Sequence, residues 1–574
     1  MNGGRRDDRW VAISIAFAAA AVATTQVRSY DLWWHLKAGE WIAGHLAVPR
    51  QDPFSFTSAG VPWVDHAWLW QIGAWAAHAA AGVAGLAVLK VACAIAIGLA
   101  AVAALRCAGW GPHVSSLAVL LGLAGSRFRI ADRPETASLA LLALFLFVLV
   151  APGPRLRTRL LGSAATACVW ANLHAGVLLA PVLAAAASAG SIVGALRAPR
   201  EGPGRARELL LRARDEALTG AVAAAALLVN PYGVGLIGVP HRLSEALVDP
   251  RLVNPEWLPP TIRTFPLFIV VLVGAVCVGA IRVVHLKDPE AWRGLILAAV
   301  TGALGLTSAR HIGVFFITLP FAIAAARPRG RPASPARRRR AFTISLPARS
   351  APVWGFAASA IFVIWPSSHG APAGIGIEPG RFPGREADYI ERSLPAPRAL
   401  YNEVAHGGYL IWRFFPQDRV FIDGRNEVHA ALLREQAAAL DDGRAWSALL
   451  DRHGVRAALV RYRPGRIQVS GSLLGGRRSW AALHFPSKRW ALVYWGDVGM
   501  VFVKRGAGHD DLITRDEYVH VHPEDWEYQI ERCRDGDADL LAGILEDLRR
   551  RVGGEDRSTR AADLLARFEG VGSR

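Results

Sequence analysis

Cysteine is scarce in this 574-residue chain: there are five, Cys93, Cys107, Cys168, Cys277 and Cys533, and no two have metal-site spacing. The first four lie in or beside apolar segments, so neither a disulfide framework nor a structural zinc is expected. Charge is also thin. Charged residues make up 20% against 52% hydrophobic, and the mean hydropathy is +0.25. That balance excludes a disordered chain and argues against an ordinary soluble enzyme. No internal repeat, P-loop, Rossmann fingerprint or zinc-protease motif is present. Acidic residues number 47 against 65 Lys+Arg, a formal charge of +18. A basic total often signals nucleic acid. Here many of the arginines sit in short loops between apolar runs, where they report topology instead.

What is present is a series of apolar stretches, near 10–26, 82–105, 115–127, 136–151, 159–171, 175–195, 215–232, 265–284, 293–307, 311–325 and 351–366. Several fall short of the about 20 residues of a straight crossing, which is tolerated where neighbouring protein covers the helix ends. We read a polytopic α-helical membrane region over 1–366, a Gly/Pro-rich linker over 367–384, a soluble α/β domain over 385–512 and a charged helical tail over 513–574.

Arginine clusters give an orientation. Arg5, Arg6 and Arg9, then Arg155, Arg157 and Arg159, then Arg197 to Arg214, then Arg327 to Arg340 all fall on one side if eleven spans are counted from a cytoplasmic N-terminus. Residues 27–66 and everything after 366 are then extracytoplasmic. The Arg-rich start with Ala21-Val22-Ala23 also fits a cleavable signal peptide, which leaves the remaining topology unchanged.

The outer side gathers ionisable groups. The first outer loop contains Asp31-Leu32-Trp33-Trp34-His35-Leu36, Gly39-Glu40-Trp41-Ile42, Asp52-Pro53-Phe54-Ser55 and Asp65-His66. Leu32, Leu36, Trp41 and Ile42 suggest a short amphipathic helix on the bilayer surface, with Asp31 either a helix cap or a reactive carboxylate. Other loops on that side carry Arg127, Arg129, Asp132, Arg133 and Glu135, then Asn172 and His174, Asn230-Pro231-Tyr232-Gly233, Glu256-Trp257 and Arg310-His311. Such groups at membrane depth are costly and mark a polar cavity. Arginine suits phosphate, and a carboxylate can deprotonate or orient a hydroxyl.

These motifs resemble the first outer loop of bacterial multi-span glycosyltransferases of the GT-C class, which use polyprenyl-phosphate-linked sugars. The class includes protein O-mannosyltransferases, lipid A aminoarabinose transferases and the catalytic subunit of oligosaccharyltransferase. The resemblance covers most of residues 10–505. It implies an acidic catalytic residue in the first outer loop, matched by Asp31, with Asp52 second and His35 and His66 beside them. With a lipid-linked donor of this kind, its phosphate is expected on Arg133, Arg310, His311 and His174. It also implies a globular domain over the membrane site, so Glu256, Asn402, Tyr409, Asp423 and Arg425 are candidates for the acceptor or lid. Three features depart from the class. Asp31 is followed by Leu32 rather than a second acid, Ala67 stands where an acidic residue is expected after His66, and the double-Trp acceptor motif is missing. A second carboxylate and any divalent metal are therefore left open.

In the globular region we expect a strand at 399–402, a glycine turn at Gly407-Gly408 into a short helix, and a second strand over 419–423 ending in Asp423-Gly424. Residues 431–452 read as helix, and 457–462, 490–494 and 499–503 as strands. The functional expectation is an inverting sugar transferase with a lipid-linked donor and a glycan, lipid or protein acceptor. A lipid or glycan transporter would want an internal repeat and mid-span charges. A non-catalytic envelope scaffold would tolerate loss of Asp31.

Overall fold

The computed structural model describes residues 2–198, 203–246, 255–327, 350–364, 372–474, 476–554 and 556–572. Arg200, Arg329, Arg331, Arg337 to Arg340, linker residues 367–371 and the final Ser573-Arg574 lie outside them.

Among the described residues each expected apolar stretch contains a helix, though the helices end before residues 24–26 and 227–232. The first half comprises α1 (Asn2–Ala23), α2 (Leu32–His45), α3 (Trp68–Cys107), α4 (Pro112–Ser126), α5 (Pro134–Val150), α6 (Leu156–Leu173), α7 (Leu179–Leu196), α8 (Pro203–Ala226), α9 (Val239–Ala246), α10 (Pro266–Val284), α11 (Ala291–Thr307), α12 (Ile312–Ala325) and α13 (Ala351–Ile364). Among the described residues three segments are long and apolar enough to cross a membrane, by length and composition: Trp68–Cys107, Ala175–Leu196 and Pro266–Val284. Ala, Leu and Val from α1, α3, α5, α7 and α12 fill one continuous core. Small side chains let helix backbones approach closely there, as is common between membrane helices. The helix of α3 begins earlier than the apolar pattern indicates and breaks at Ala81 and Gly82, where Gly82 takes φ +58°. A residue lacking Cβ enters that left-handed region without strain.

The globular half has α14 (Gly384–Ser393), α15 (Val404–Phe414), α16 (Ala430–Ala439), α17 (Gly443–Arg452), α18 (Trp480–His484), α19 (Asp510–Asp516), α20 (Trp526–Arg534), α21 (Ala538–Gly553) and α22 (Thr559–Gly572). Its strands are β1 (Leu400–Asn402), β2 (Ala457–Arg461), β3 (Trp490–Trp495) and β4 (Gly499–Lys504). They form one mixed sheet in the order β1-β2-β4-β3, with β1 parallel to β2 and the other pairs antiparallel. Leu548, Ala561, Leu564 and Phe568 of the C-terminal helices share a core with Trp446, Trp480 and Phe502.

Two local expectations are corrected. The strand expected over 419–423 is a single bridge between Val420 and Ser55 of the first loop, because Asn402 takes up the main-chain groups of Phe421 and Ile422. Gly407 and Gly408 make no turn but lie inside α15, where the missing side chains let the helix approach Ile422–Asp423 on one side and Tyr30 and Trp34 on the other.

Helix α2 is also not a surface helix. Leu32, Trp33 and Leu36 pack with Trp70, Ala74 and Leu86 of α3, while Trp34 and Ala38 join Phe54, Trp63, Leu410 and Val420. The sequence is apolar around most of the helix, so burial between two layers satisfies it better than one-sided contact with a bilayer. The segment after α1 is tied in as well, through bridges from Thr25 to Ala373 and from Val27 to Ile377. The first loop is thus shared between both halves of the molecule.

Candidate functional site

The residue preceding α2 is Asp31. It occupies the cap position, yet its side chain caps nothing. The carboxylate instead faces Arg133, with Nη2 3.6 Å from Oδ2. Arg133 precedes α5, whose helical start is fixed by Pro134. Its Nε donates to Ser29 Oγ at 2.8 Å, and Nη1 reaches Glu256 at 3.2 Å. Glu256 also accepts from Arg129 Nη1 at 2.6 Å, while the rest of the Arg129 fork holds Glu135.

Glu256 is placed by a 3-10 turn, Pro255–Trp257. Ser308 Oγ donates to the Glu256 carbonyl at 2.9 Å, and Ala309 N donates to the Leu258 carbonyl at 2.9 Å. That clasp sets Trp257 under Arg310, whose guanidinium carbon is 4.0 Å from the indole centroid. Among the described residues no carboxylate oxygen lies within ion-pair contact of Arg310, although Glu135 and Glu256 act on it electrostatically. Asp31, Arg133, Glu256 and Arg310 thereby form one continuous group drawn from four separate loops.

The exposures of Asp31, Arg133 and Glu256 side chains are 32%, 22% and 36%, so the group is open to a ligand. Burial lifts the Asp31 carboxyl above its ordinary range against the opposing pull of Arg133. At Glu256 burial acts the same way, but Arg129 and Arg133 outweigh it and take its pKa down to about 2. One carboxylate is therefore shifted toward holding a proton and its neighbour is held ionised.

The histidines form the adjoining wall. His66 and His174 rings are 5.5 Å apart, edge to face. His174 Nδ1 accepts from Gly176 N at 3.0 Å and lies 3.1 Å from Ser138 Oγ, so it also starts the turn into α7. Burial depresses the pKa of His66 to about 4, which keeps the ring neutral. His35 is buried against Trp34, and its Nδ1 is 3.2 Å from Gln71 Nε2, which in turn donates to Asp65 at 2.7 Å. Asp65 and Gln71 were not among the sequence candidates; a carboxylate directly before His66 was the available signal. His311 follows Arg310 in a 3-10 turn, and its Nδ1 is buried without a partner in the described structure.

Other candidates fall elsewhere. Asp52 is sealed away from Asp31: it accepts from Phe54 N at 2.9 Å and from Ser55, and pairs with Arg425 Nη1 at 2.7 Å. Arg425 also pairs with Asp423 at 2.5 Å, Asp423 with His429 at 3.0 Å, and His429 with Ser58 at 3.0 Å. Asp52, Asp423, Arg425 and His429 side chains are 0% exposed. This second cluster locks the first loop to the globular half and presents nothing to solvent. Asn402 is buried and holds Phe421 and Ile422. Tyr409 stacks on Phe382 and meets Trp33 edge-on at 5.3 Å. Sequence reasoning missed His429, Ser58 and Gly424. The last lies directly against the open group, since a Cβ there would run into Asp31 Oδ1.

No protein-family profile and no curated protein matches the sequence. Solved structures do match in shape. The Archaeoglobus fulgidus oligosaccharyltransferase in complex with Zn and sulfate aligns with TM-score 0.52 and 11% identity, over 98% of this chain and 85% of that one. The same enzyme tethered to an acceptor peptide aligns with TM-score 0.46 and 12% identity, over 78% and 69%. The first alignment shows that this chain has the fold of that GT-C enzyme, across both the helical and the globular half.

Proposed function

We propose that this protein is a membrane glycosyltransferase of the bacterial inner membrane, moving a sugar from a polyprenyl-phosphate donor to an extracytoplasmic glycan, lipid or protein acceptor. The reading is supported by the shared fold and rests on one observation: the open carboxylate Asp31 stands 3.6 Å from Arg133, on a face that also carries Glu256 and Arg310. In this scheme the helices form the multi-span membrane region, with a cytoplasmic N-terminus and the globular half outside.

The donor phosphate lies on Arg133 and Arg310, whose planar donors match its oxygens. The acceptor hydroxyl is oriented by Asp31, which takes its proton. The acceptor oxygen attacks the anomeric carbon, the bond from that carbon to the phosphate oxygen breaks, and the phosphate leaves with the electron pair. The guanidinium charges stabilise it as it forms. Single displacement inverts the anomeric centre. Gly424 brings the globular half onto Asp31, so that half helps select the acceptor.

The test is turnover of labelled polyprenyl-phosphate sugars by purified protein beside Asp31→Asn. Loss of a general base of this kind costs about 100- to 10,000-fold in rate. Turnover of no donor by folded, lipid-binding wild type would remove the transferase reading in favour of a transporter or scaffold.

A further inference from the structure

Carboxylates that work beside a phosphate-bearing substrate are commonly bridged by a divalent cation, which joins them to the phosphate and neutralises developing charge. The residues present do not fit such an ion. The two carboxylates that could bridge it, Asp31 and Glu256, are already joined by the Arg133 guanidinium, at 3.6 and 3.2 Å. Glu256 is held a second time by Arg129, and Glu135, the next carboxylate, is taken up by the same arginine. Among the described residues no three His, Cys, Asp or Glu side chains converge as a metal site. The residue after His66 is Ala67, so that turn supplies no further acid.

The charge balance points the same way. Three carboxylates, Asp31, Glu135 and Glu256, face three guanidiniums, Arg129, Arg133 and Arg310. Counted over these six described groups alone, the formal charge is zero with all of them ionised. A divalent ion would enter beside fixed positive charges that cannot lose a proton at any working pH. Its repulsion from them is strongest where water is partly excluded, as it is around Arg129, which is 3% exposed.

We propose that Arg133 is the built-in cation of this site, occupying the position between Asp31 and Glu256 that a divalent metal would otherwise take, so that the site binds no such metal. This deepens the transferase reading and rests on it for the role of the phosphate. Arg133 bridges the two carboxylates in the resting site and offers its remaining donor capacity to the donor phosphate. Arg310, stacked on Trp257 and outside direct ion-pair contact with these carboxylates, supplies the second positive group.

The experiment is a manganese titration followed by electron paramagnetic resonance, with the full-length protein in nanodiscs of zwitterionic phosphatidylcholine. Wild type is expected to leave the free-ion spectrum unchanged at millimolar Mn2+. Arg133→Gln, which frees Asp31 and removes the guanidinium bridging it to Glu256 while Arg129 stays on Glu256, is expected to bind one Mn2+ per chain and to lose it again when Asp31→Asn is added. Binding by wild type that disappears in Asp31→Asn overturns the proposal, and so does a folded Arg133→Gln that takes no ion. Should Arg133→Gln fail to fold, the wild-type and Asp31→Asn titrations decide alone. In parallel, turnover by wild type is expected to be unchanged by a chelator. A wild type that turns over no lipid-phosphate sugar would defeat the transferase reading while leaving the manganese result interpretable.

Discussion

Two arginine–carboxylate clusters hang from the same forty-residue loop, and they differ in what surrounds them. In the first, Arg133 lies 3.6 Å from Asp31 and 3.2 Å from Glu256, with every one of these side chains partly exposed. In the second, Arg425 pairs with Asp52 at 2.7 Å and with Asp423 at 2.5 Å, and His429 lies 3.0 Å from Asp423, with all of them sealed. The chemistry of the groups is the same. In the sealed cluster the ion pairs and hydrogen bonds are internal, so it serves to join the first loop to the globular half. In the open one the contacts made by Arg133 are longer and partly exposed, so a ligand's phosphate or hydroxyl can enter the exchange.

The largest effect that would test this contrast is on stability. Arg425→Ala leaves Asp52 buried without its counter-charge and Asp423 with His429 alone, and breaking a buried pair in this way costs about 3–5 kcal/mol. Chemical or thermal unfolding of the variant checks it. Asp31→Asn is expected to leave the unfolding midpoint unchanged. A stable Arg425→Ala would dissolve the distinction between the clusters.

Next in size is Gly424→Ala. The added methyl meets Asp31 Oδ1, so the carboxylate must move while the sealed cluster keeps its contacts. A displacement on the order of 1 Å from the reacting geometry can cost up to about 100-fold in turnover. The expected signature is a fall in kcat with an unchanged unfolding midpoint. Normal kcat would show that the globular half does not set the position of Asp31.

Acid titration separates the clusters by sign. Burial raises Asp31, so turnover that needs its ionised form falls with decreasing pH at a value above the ordinary aspartate range. Burial also acts on Asp423, but Arg425 and His429 overcome it and depress its pKa. A depressed folded-state value means that the clamp's stabilisation is fully present above the ordinary aspartate pKa and is lost only as the pH falls through the lower one. Activity should therefore be lost at a higher pH than the fold, which parallel rate and unfolding profiles would reveal.

The smallest expected effect is at the edge of the open cluster. Arg310→Lys keeps the charge but loses the planar stack on Trp257 and the forked donors. A contact of this kind is worth about 0.5–1 kcal/mol, a two- to fivefold weakening of donor binding. A rise in KM without change in kcat would place Arg310 on the donor.

Much of this was legible in the residues. The apolar stretches became helices because nothing else satisfies their backbone in an apolar setting. The Asp31–Leu36 and Asp52–Ser55 motifs identified the loop that matters. The resemblance placed Asp31 ahead of Asp52, but that Asp52 is sealed was not legible, because both are acids in aromatic loop sequence and the groups that close over Asp52 lie far away in the chain. The strand expected at 419–423 failed for a related reason: its apolar run is satisfied by Asn402 and Ser55, which lie far away in the chain.

Taken by itself, the sequence determined a cysteine-poor helical chain with an α/β appendage and a loop dense in carboxylate, histidine and tryptophan. The tertiary structure alone decided which acids are open and which are closed. Exposure and pairing depend on groups brought together across the chain; Ser58 and His429, for example, are 371 positions apart. Local pattern reports what a residue can do, and only its distant neighbours fix whether water and a substrate can reach it.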